Sequence, residues 1–300
     1  MVGRISDNPW RMLIDLNDFR VPSGKRVRLK EWPTEITPFF KSDKQYKAHL
    51  TADVSVLSAL QRLLYASSGY AILLVFQAMD TAGKDSAIGH VLTGINPEGC
   101  DVSSFRQPSE EELAHDFLWR TTRRLPERGR IGVFNRSYYE EVLVVRVHPA
   151  ILANERIPGA LSGSKALWKG RYHSIVDLEK HLHRNGTHVI KIFLHLSQEE
   201  QRKRLLARIH DPDKNWKFSR ADIAERAFWN EYTRAYEECL GATSTNIAPW
   251  YVVPADNKDN ARLIVSAIVI AALEDLKLHY PRMTAAQRTE LRAAGKFLAP

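Results

Sequence analysis

Five short, strongly apolar runs separated by long stretches of helical periodicity predict an α/β protein, a parallel sheet with helices on both faces. The runs at 71–76, 102–105, 131–134, 188–194 and 250–253 have the length and continuity of strands buried on both sides. The stretches between them are long enough for the crossover helices that parallel neighbours require. Composition agrees: 300 residues, 44% hydrophobic and 26% charged, which excludes a chain disordered throughout and a polytopic membrane protein.

Taken in order, residues 1–50 carry several prolines and a basic cluster (Lys25, Arg26, Arg28, Lys30) with little periodicity, and read as an extended arm. Val54, Leu57, Leu60, Leu63 and Leu64 recur at helical spacing and give an amphipathic helix over 53–66, leading into the first strand. Further helical patterns cover 85–92, 110–124, 138–147, 164–185, 198–210, 219–240 and 257–279, with a short polar, peripheral helix at 284–296. There is no internal repeat and no low-complexity tract. Cys100 and Cys239 lie far apart and outside any CxxC pair, which fits a reducing compartment. The first 18 residues lack a secretory h-region, and the richest apolar runs fall short of the roughly 20 residues that span a bilayer. A cytoplasmic protein without membrane association is expected.

The first strand runs into Gln77-Ala-Met-Asp-Thr-Ala-Gly-Lys84-Asp-Ser86 and then a helix. That is the context of a phosphate-binding loop of the form GxxxxGK[ST]. Gly83 and Lys84 match, whereas Ala78 replaces the first glycine and Asp85 the hydroxyl residue. Gly83 lets a phosphate approach the backbone, the helix start offers unpaired N–H groups and Lys84 adds a point charge. Asp80, inside the loop, is a carboxylate that needs a cation or a basic partner beside phosphates, so it is the candidate magnesium ligand or acceptor base. The strand at 131–134 ends in Asn135-Arg136-Ser-Tyr-Tyr-Glu140-Glu141, with Asn135 where such enzymes carry a metal-holding aspartate. An amide supplies no negative charge, so metal holding shifts to Asp80, helped by Glu140 or Glu141. Arg136, at a strand C-terminus, is placed for phosphate.

The chain carries 43 Lys plus Arg against 35 Asp plus Glu, net +8. Residues 120–136 and 201–220 are each net +5, leaving the rest slightly acidic. Such concentration near a phosphate loop suggests a polyanion larger than one nucleotide. Arg204 and Arg208 are four apart and share a helix face as a clamp. The Asp-Pro-Asp-Lys-Asn-Trp stretch at 211–216 breaks the helix as a hinged lid would.

These blocks, with Asn96-Pro-Glu-Gly-Cys100, Ser104-Phe-Arg-Gln-Pro-Ser109 and Phe117-Leu-Trp-Arg120, resemble the polyphosphate kinase 2 family over about residues 20–280. The resemblance implies a thymidylate-kinase-like P-loop kinase, a three-layer fold with a five-stranded parallel sheet and a helical lid at about 201–220. The kinase domain would span 51–280, between the arm at 1–50 and a tail at 281–300. It implies reversible transfer of the terminal phosphoryl group of inorganic polyphosphate to AMP or ADP, with magnesium or manganese. Adenine nucleotides are the expected acceptors, guanine nucleotides the wider range, and self-association into a homo-oligomer is expected. The implied catalytic residues are Asp80, Lys84, Asn135, Arg136 and Glu140. Ala82, Gly83, Lys84, Asp85, Ser86, Arg136, Arg204 and Arg208 would bind phosphate, and Arg106 and Asn135 the nucleotide. Two alternatives stay open: an ATP-dependent nucleoside monophosphate kinase, and a nucleic-acid-binding protein with an inactive loop, against which counts the lack of a base-reading module.

Overall fold

The computed structural model describes residues 10–155, 157–158 and 164–298. Strands β1 (Ala71–Ala78), β2 (Cys100–Ser104), β3 (Ile131–Asn135), β4 (Thr187–His195) and β5 (Trp250–Pro254) form one all-parallel sheet in the order β2-β3-β1-β4-β5. All eight residues of β1 are buried, which the run Ala-Ile-Leu-Leu-Val-Phe-Gln-Ala explains. Its side chains alternate between two cores, Ile72, Leu74 and Phe76 entering one and Leu73 and Val75 the other.

The helices are α1 (Asp43–Ser67), α2 (Lys84–Val91), α3 (Glu110–Leu113), α4 (Trp119–Thr122), α5 (Val144–Val147), α6 (Pro149–Asn154), α7 (Lys165–Arg184), α8 (Gln198–His210), α9 (Arg220–Glu225), α10 (Trp229–Thr243), α11 (Lys258–Asp275) and α12 (Ala285–Leu298). The first core joins α1, α2 and α11 to the sheet, and the second joins α7 and α10. The strand after β1 lies at the far edge, β3 and β4 flank β1, and the connections diverge there. The C-terminal end of β1 is therefore a topological switch point, where open α/β sheets bind ligands.

Several elements differ from expectation for local reasons. Helix α1 starts at Asp43, ten residues before the periodic run, because Ser42 caps it by accepting from the Gln45 N–H at 3.2 Å. The stretch before it is anchored rather than loose: Trp10, Phe19, Val21, Val27 and Leu29 are buried, and three short 3-10 turns interrupt it. Val252 N–H donates to the Phe19 carbonyl at 2.8 Å and Val21 N–H to the Trp250 carbonyl at 2.9 Å, so this segment covers the exposed edge of β5. The pattern at 110–124 splits into α3 and α4 where Asp116 accepts from Leu118 N–H at 2.9 Å. Residues 138–147 open as a 3-10 turn capped by Ser137, and 219–240 breaks at a 3-10 turn over Arg226–Phe228. Helix α12 is exposed along its length. Lys191 sits fully buried in β4, its ammonium donating to Glu179 Oε2 at 2.6 Å and to the Thr243 carbonyl at 2.7 Å.

Candidate active site

The loop between β1 and α2 has the backbone a phosphate cradle needs. Gly83 adopts φ +98°, open to glycine and strained for other residues, and Thr81 adopts φ +66°. Helix α2 begins at Lys84, so its first-turn N–H groups have no partner within the helix. Ala78, in place of the expected glycine, closes β1, and its carbonyl accepts from Lys84 Nζ at 3.1 Å. Burial first, then the positive charge of Arg136, lower the Lys84 pKa, while Asp80, Glu140 and Asp85 oppose the shift.

Helix α8 props the loop from behind. Gln201 Nε2 donates to the Asp80 carbonyl at 3.1 Å. Arg204 Nη1 donates to the carbonyls of Thr81 (3.2 Å) and Ala82 (3.0 Å), and Nη2 to those of Ala255 (2.7 Å) and Asp256 (2.9 Å). Its Nε meets Glu200 Oε1 at 2.9 Å, and the residue is only 8% exposed. Arg204 thus joins the loop to the end of β5, whereas Arg208, one turn on, pairs with Asp222 of α9 at 2.9 Å. The two arginines share a helix but serve different contacts.

At the end of β3, parallel pairing sets Asn135 beside Phe76 of β1. Asn135 Nδ2 donates to Asp85 Oδ1 at 2.6 Å. The usual arrangement of these two positions is inverted: the carboxylate stands after the lysine, and the neutral group at the strand end. Arg136, at φ +65°, bridges Asp80 Oδ1 (3.3 Å) and Glu140 Oε2 (3.1 Å), and Glu140 is the main cause of its raised pKa. A left-handed arginine at a strand end is costly and is the kind of strain found at functional sites. Asp80, Lys84, Asp85, Asn135, Arg136 and Glu140 therefore gather at the C-terminal end of the central strands, with Ala82, Gly83 and Ser86 on the loop and α2. A small cavity of about 50 Å³ opens between Met79, Asp80, Arg136, Glu140, Tyr232 and Tyr236.

Arg106 follows β2 at the same C-terminal end of the sheet, and its carbonyl accepts from Arg120 Nη1 at 2.7 Å. Beyond it lies a cavity of about 430 Å³ walled by Pro108, Phe117, Arg120, Glu141, Glu155 and Arg171. Arg120 Nη2 pairs with Glu141 Oε1 at 3.1 Å, and Arg171 pairs with Glu155. Burial, then Glu155, push the Glu141 carboxyl up to about 7 against the pull of Arg120 and Arg171.

The basic stretch 120–136 does not form one surface. Arg128 and Arg130 precede β3 and Arg136 follows it, so they sit beyond opposite ends of a five-residue strand about 16 Å long. Arg130 pairs there with Asp101 at 3.3 Å, and Arg123 lies over the Trp119 ring at 4.6 Å. Sequence patterning also passes over Gln201, Lys258 and Arg262, all beside the loop. The available signal for the last two was a Lys and an Arg four apart directly after the last strand.

A glycine turn entering a helix at the switch point of a parallel sheet, with a half-buried lysine, a strand-end arginine and carboxylates around it, defines an α/β phosphotransferase of the phosphate-loop kind. The sequence profile of polyphosphate kinase 2 (PPK2) matches residues 40–281, and the chain belongs to that family. It is 59% identical over 93% of its length to an ADP-polyphosphate phosphotransferase of Rhodopseudomonas palustris, 97% of which is covered. It is 40% identical over 89% of its length to an AMP/ADP-polyphosphate phosphotransferase of Meiothermus ruber, 96% covered. The crystal structure of polyphosphate kinase 2 from Arthrobacter aurescens TC1 superimposes with a TM-score of 0.81 at 40% identity, over 92% of this chain and 95% of that one. No helix among the described residues is long and apolar enough to cross a membrane.

Proposed function

We propose that this protein transfers the terminal phosphoryl group of inorganic polyphosphate to AMP and to ADP. The observation that carries the reading is the convergence of Lys84, Arg136, Asp80 and Asp85 on the loop at the end of β1. The names of the Rhodopseudomonas and Meiothermus relatives support the donor and both acceptors. A terminal phosphate oxygen of the acceptor attacks the end phosphorus of the chain. The P–O bond to the next phosphate breaks, and the shortened chain leaves with the electron pair and the negative charge. Lys84 and the loop N–H groups hold the transferred group, and Arg136 aligns the acceptor phosphate against it. Alignment and charge neutralisation are the main demands of this chemistry.

The larger cavity, next to Arg106 and on the opposite side of β1 from α8, suits the acceptor's nucleoside in size and position. Asp80 and Asp85 each hold a neighbour, Arg136 and Asn135, through one carboxylate oxygen, and the second oxygen of each suits a hard divalent cation that takes its other ligands from phosphate and water, as Mg²⁺ does. These two residues would hold Mg²⁺, which when bound neutralises phosphate charge. Incubating the protein with Mg²⁺ and polyphosphate, separately with AMP and with ADP, tests the reading by chromatography of the nucleotides. ADP is expected from the first mixture and ATP from the second. Nucleotides left unchanged in both overturn it.

A further inference from the structure

Two cations beside the loop have no part in holding the transferred group. Lys258 is the first residue of α11 and Arg262 lies one turn on, so both leave the same helix face, about 6 Å apart at their Cβ atoms. Arg262 is fixed in place: its guanidinium donates to Ser86 Oγ, two residues past Lys84, and to the Tyr46 hydroxyl at 3.3 Å, and it pairs with Asp259 at 2.5 Å. This ties the face of α11 that carries Lys258 to the first turn of the loop's own helix.

Lys258 is exposed, and its surroundings are mostly of its own sign. Desolvation by the protein body comes first in lowering its pKa, and the guanidinium groups of Arg204 and Arg262 come next, with Glu200 opposing and Lys214 adding to the shift. Arg204 is already committed to the carbonyls of Ala255 and Asp256, three and two residues before Lys258, so it cannot swing away to relieve the repulsion. Like charges held together on a rigid frame destabilise the free protein and suit a bound polyanion.

We infer that Lys258, on the frame that Arg262 ties to α2, forms a distal donor subsite, binding the second and later phosphates of a linear polyphosphate. The donor then leaves the loop on the β5 side, over the start of α11 and toward Lys214. The β2 side, with the 430 Å³ cavity, is left to the acceptor. This rests on the polyphosphate reading proposed above and adds the direction of the chain and a structural basis for preferring long donors.

The test is steady-state kinetics of Lys258→Ala, Lys258→Glu and Lys258→Arg with saturating ADP and two donors, tripolyphosphate and a chain of several tens of phosphates. Losing one charge-assisted contact predicts a KM for the long chain raised about tenfold in the alanine variant and further in the glutamate variant. The arginine variant should recover most of the loss. The rise should be several-fold smaller for tripolyphosphate, which is too short to occupy both the loop and the whole of α11's face, and the KM for ADP should stay within about twofold. An unchanged long-chain KM, an equal rise for both donors, or a shift in the ADP KM instead would overturn the inference. A wild-type protein that takes no phosphoryl group from either polyphosphate fails the underlying functional reading, a distinct outcome.

Discussion

Arg204→Met separates a residue that builds the loop from one that grips substrate. Methionine fills much of the same space but removes the donors that reach four backbone carbonyls and Glu200. Hydrogen bonds to charged groups contribute about 1.5–3 kcal/mol each, and adding five would rival the entire stability of a domain, about 5–15 kcal/mol. The contacts are not equivalent. Those to Thr81 and Asp256 are only partly buried and their carbonyls can turn to water, whereas those to Ala82 and Ala255 are buried and cannot. Two stranded carbonyls at about 1–3 kcal/mol each, with the lost Glu200 pair, give about 3–5 kcal/mol. For a chain of this size that lowers the melting temperature by about 6–10 °C. The assay is a thermal melt of the unliganded protein followed by tryptophan fluorescence, with Arg204→Lys expected to fall between wild type and methionine. A melting temperature within about 2 °C of wild type, together with a raised KM for donor, would refute the structural role and return Arg204 to the substrate.

Lys84→Ala should lower kcat by about two to three orders of magnitude with the melting temperature little changed, checked by ATP formation from ADP and polyphosphate. Asp53, fully buried on α1 and 3.3 Å from Arg11 Nε, has its pKa pushed up to about 7 by burial. The folded protein therefore binds that proton more tightly than the unfolded chain does, and the residue's contribution to stability declines as pH rises from about 4 to about 7, by at most about 1.4 kcal/mol per pH unit. Melts from pH 5 to pH 8 should show Asp53→Asn with a shallower decline than wild type, Glu141 supplying part of the slope that remains; equal slopes would contradict this. Asn135→Asp places a second carboxylate 2.6 Å from Asp85 Oδ1. Its melting temperature should drop by about 2–4 °C without Mg²⁺ and recover when Mg²⁺ is added, whereas a melt insensitive to the ion would argue against a metal beside Asp85.

The sheet was legible because β1 and its neighbours are buried on both faces and read as unbroken apolar runs. Even Lys191 does not spoil the pattern of β4, although its partner Glu179 lies on α7 and could not be named without the fold. Helix boundaries were less legible where a single cap decides them, as Ser42 and Asp116 do. At the site, the loop and the end of β3 were readable because their residues are contiguous and the parallel register brings them together. The role of Arg204 was not: four-residue spacing shows that it shares a face with Arg208 but not that α8 docks that face beneath the loop. The charge surplus of 120–136 was legible in amount but not in place, since β3 carries the chain across the sheet and leaves Arg128 and Arg130 at its far end. Lys258 and Arg262 were hidden because their significance comes from Ser86 and Arg204, both distant in sequence.

The central claim, that a phosphate chain ends at the glycine turn with its terminal unit between Lys84 and Arg136, is tested most directly by a crystal structure with polyphosphate and Mg²⁺. The terminal phosphate is predicted against the Gly83 and Lys84 backbone, within hydrogen-bonding reach of Lys84 Nζ. An ordered polyphosphate chain bound elsewhere on the protein, with the turn making no contact to it, would contradict the account.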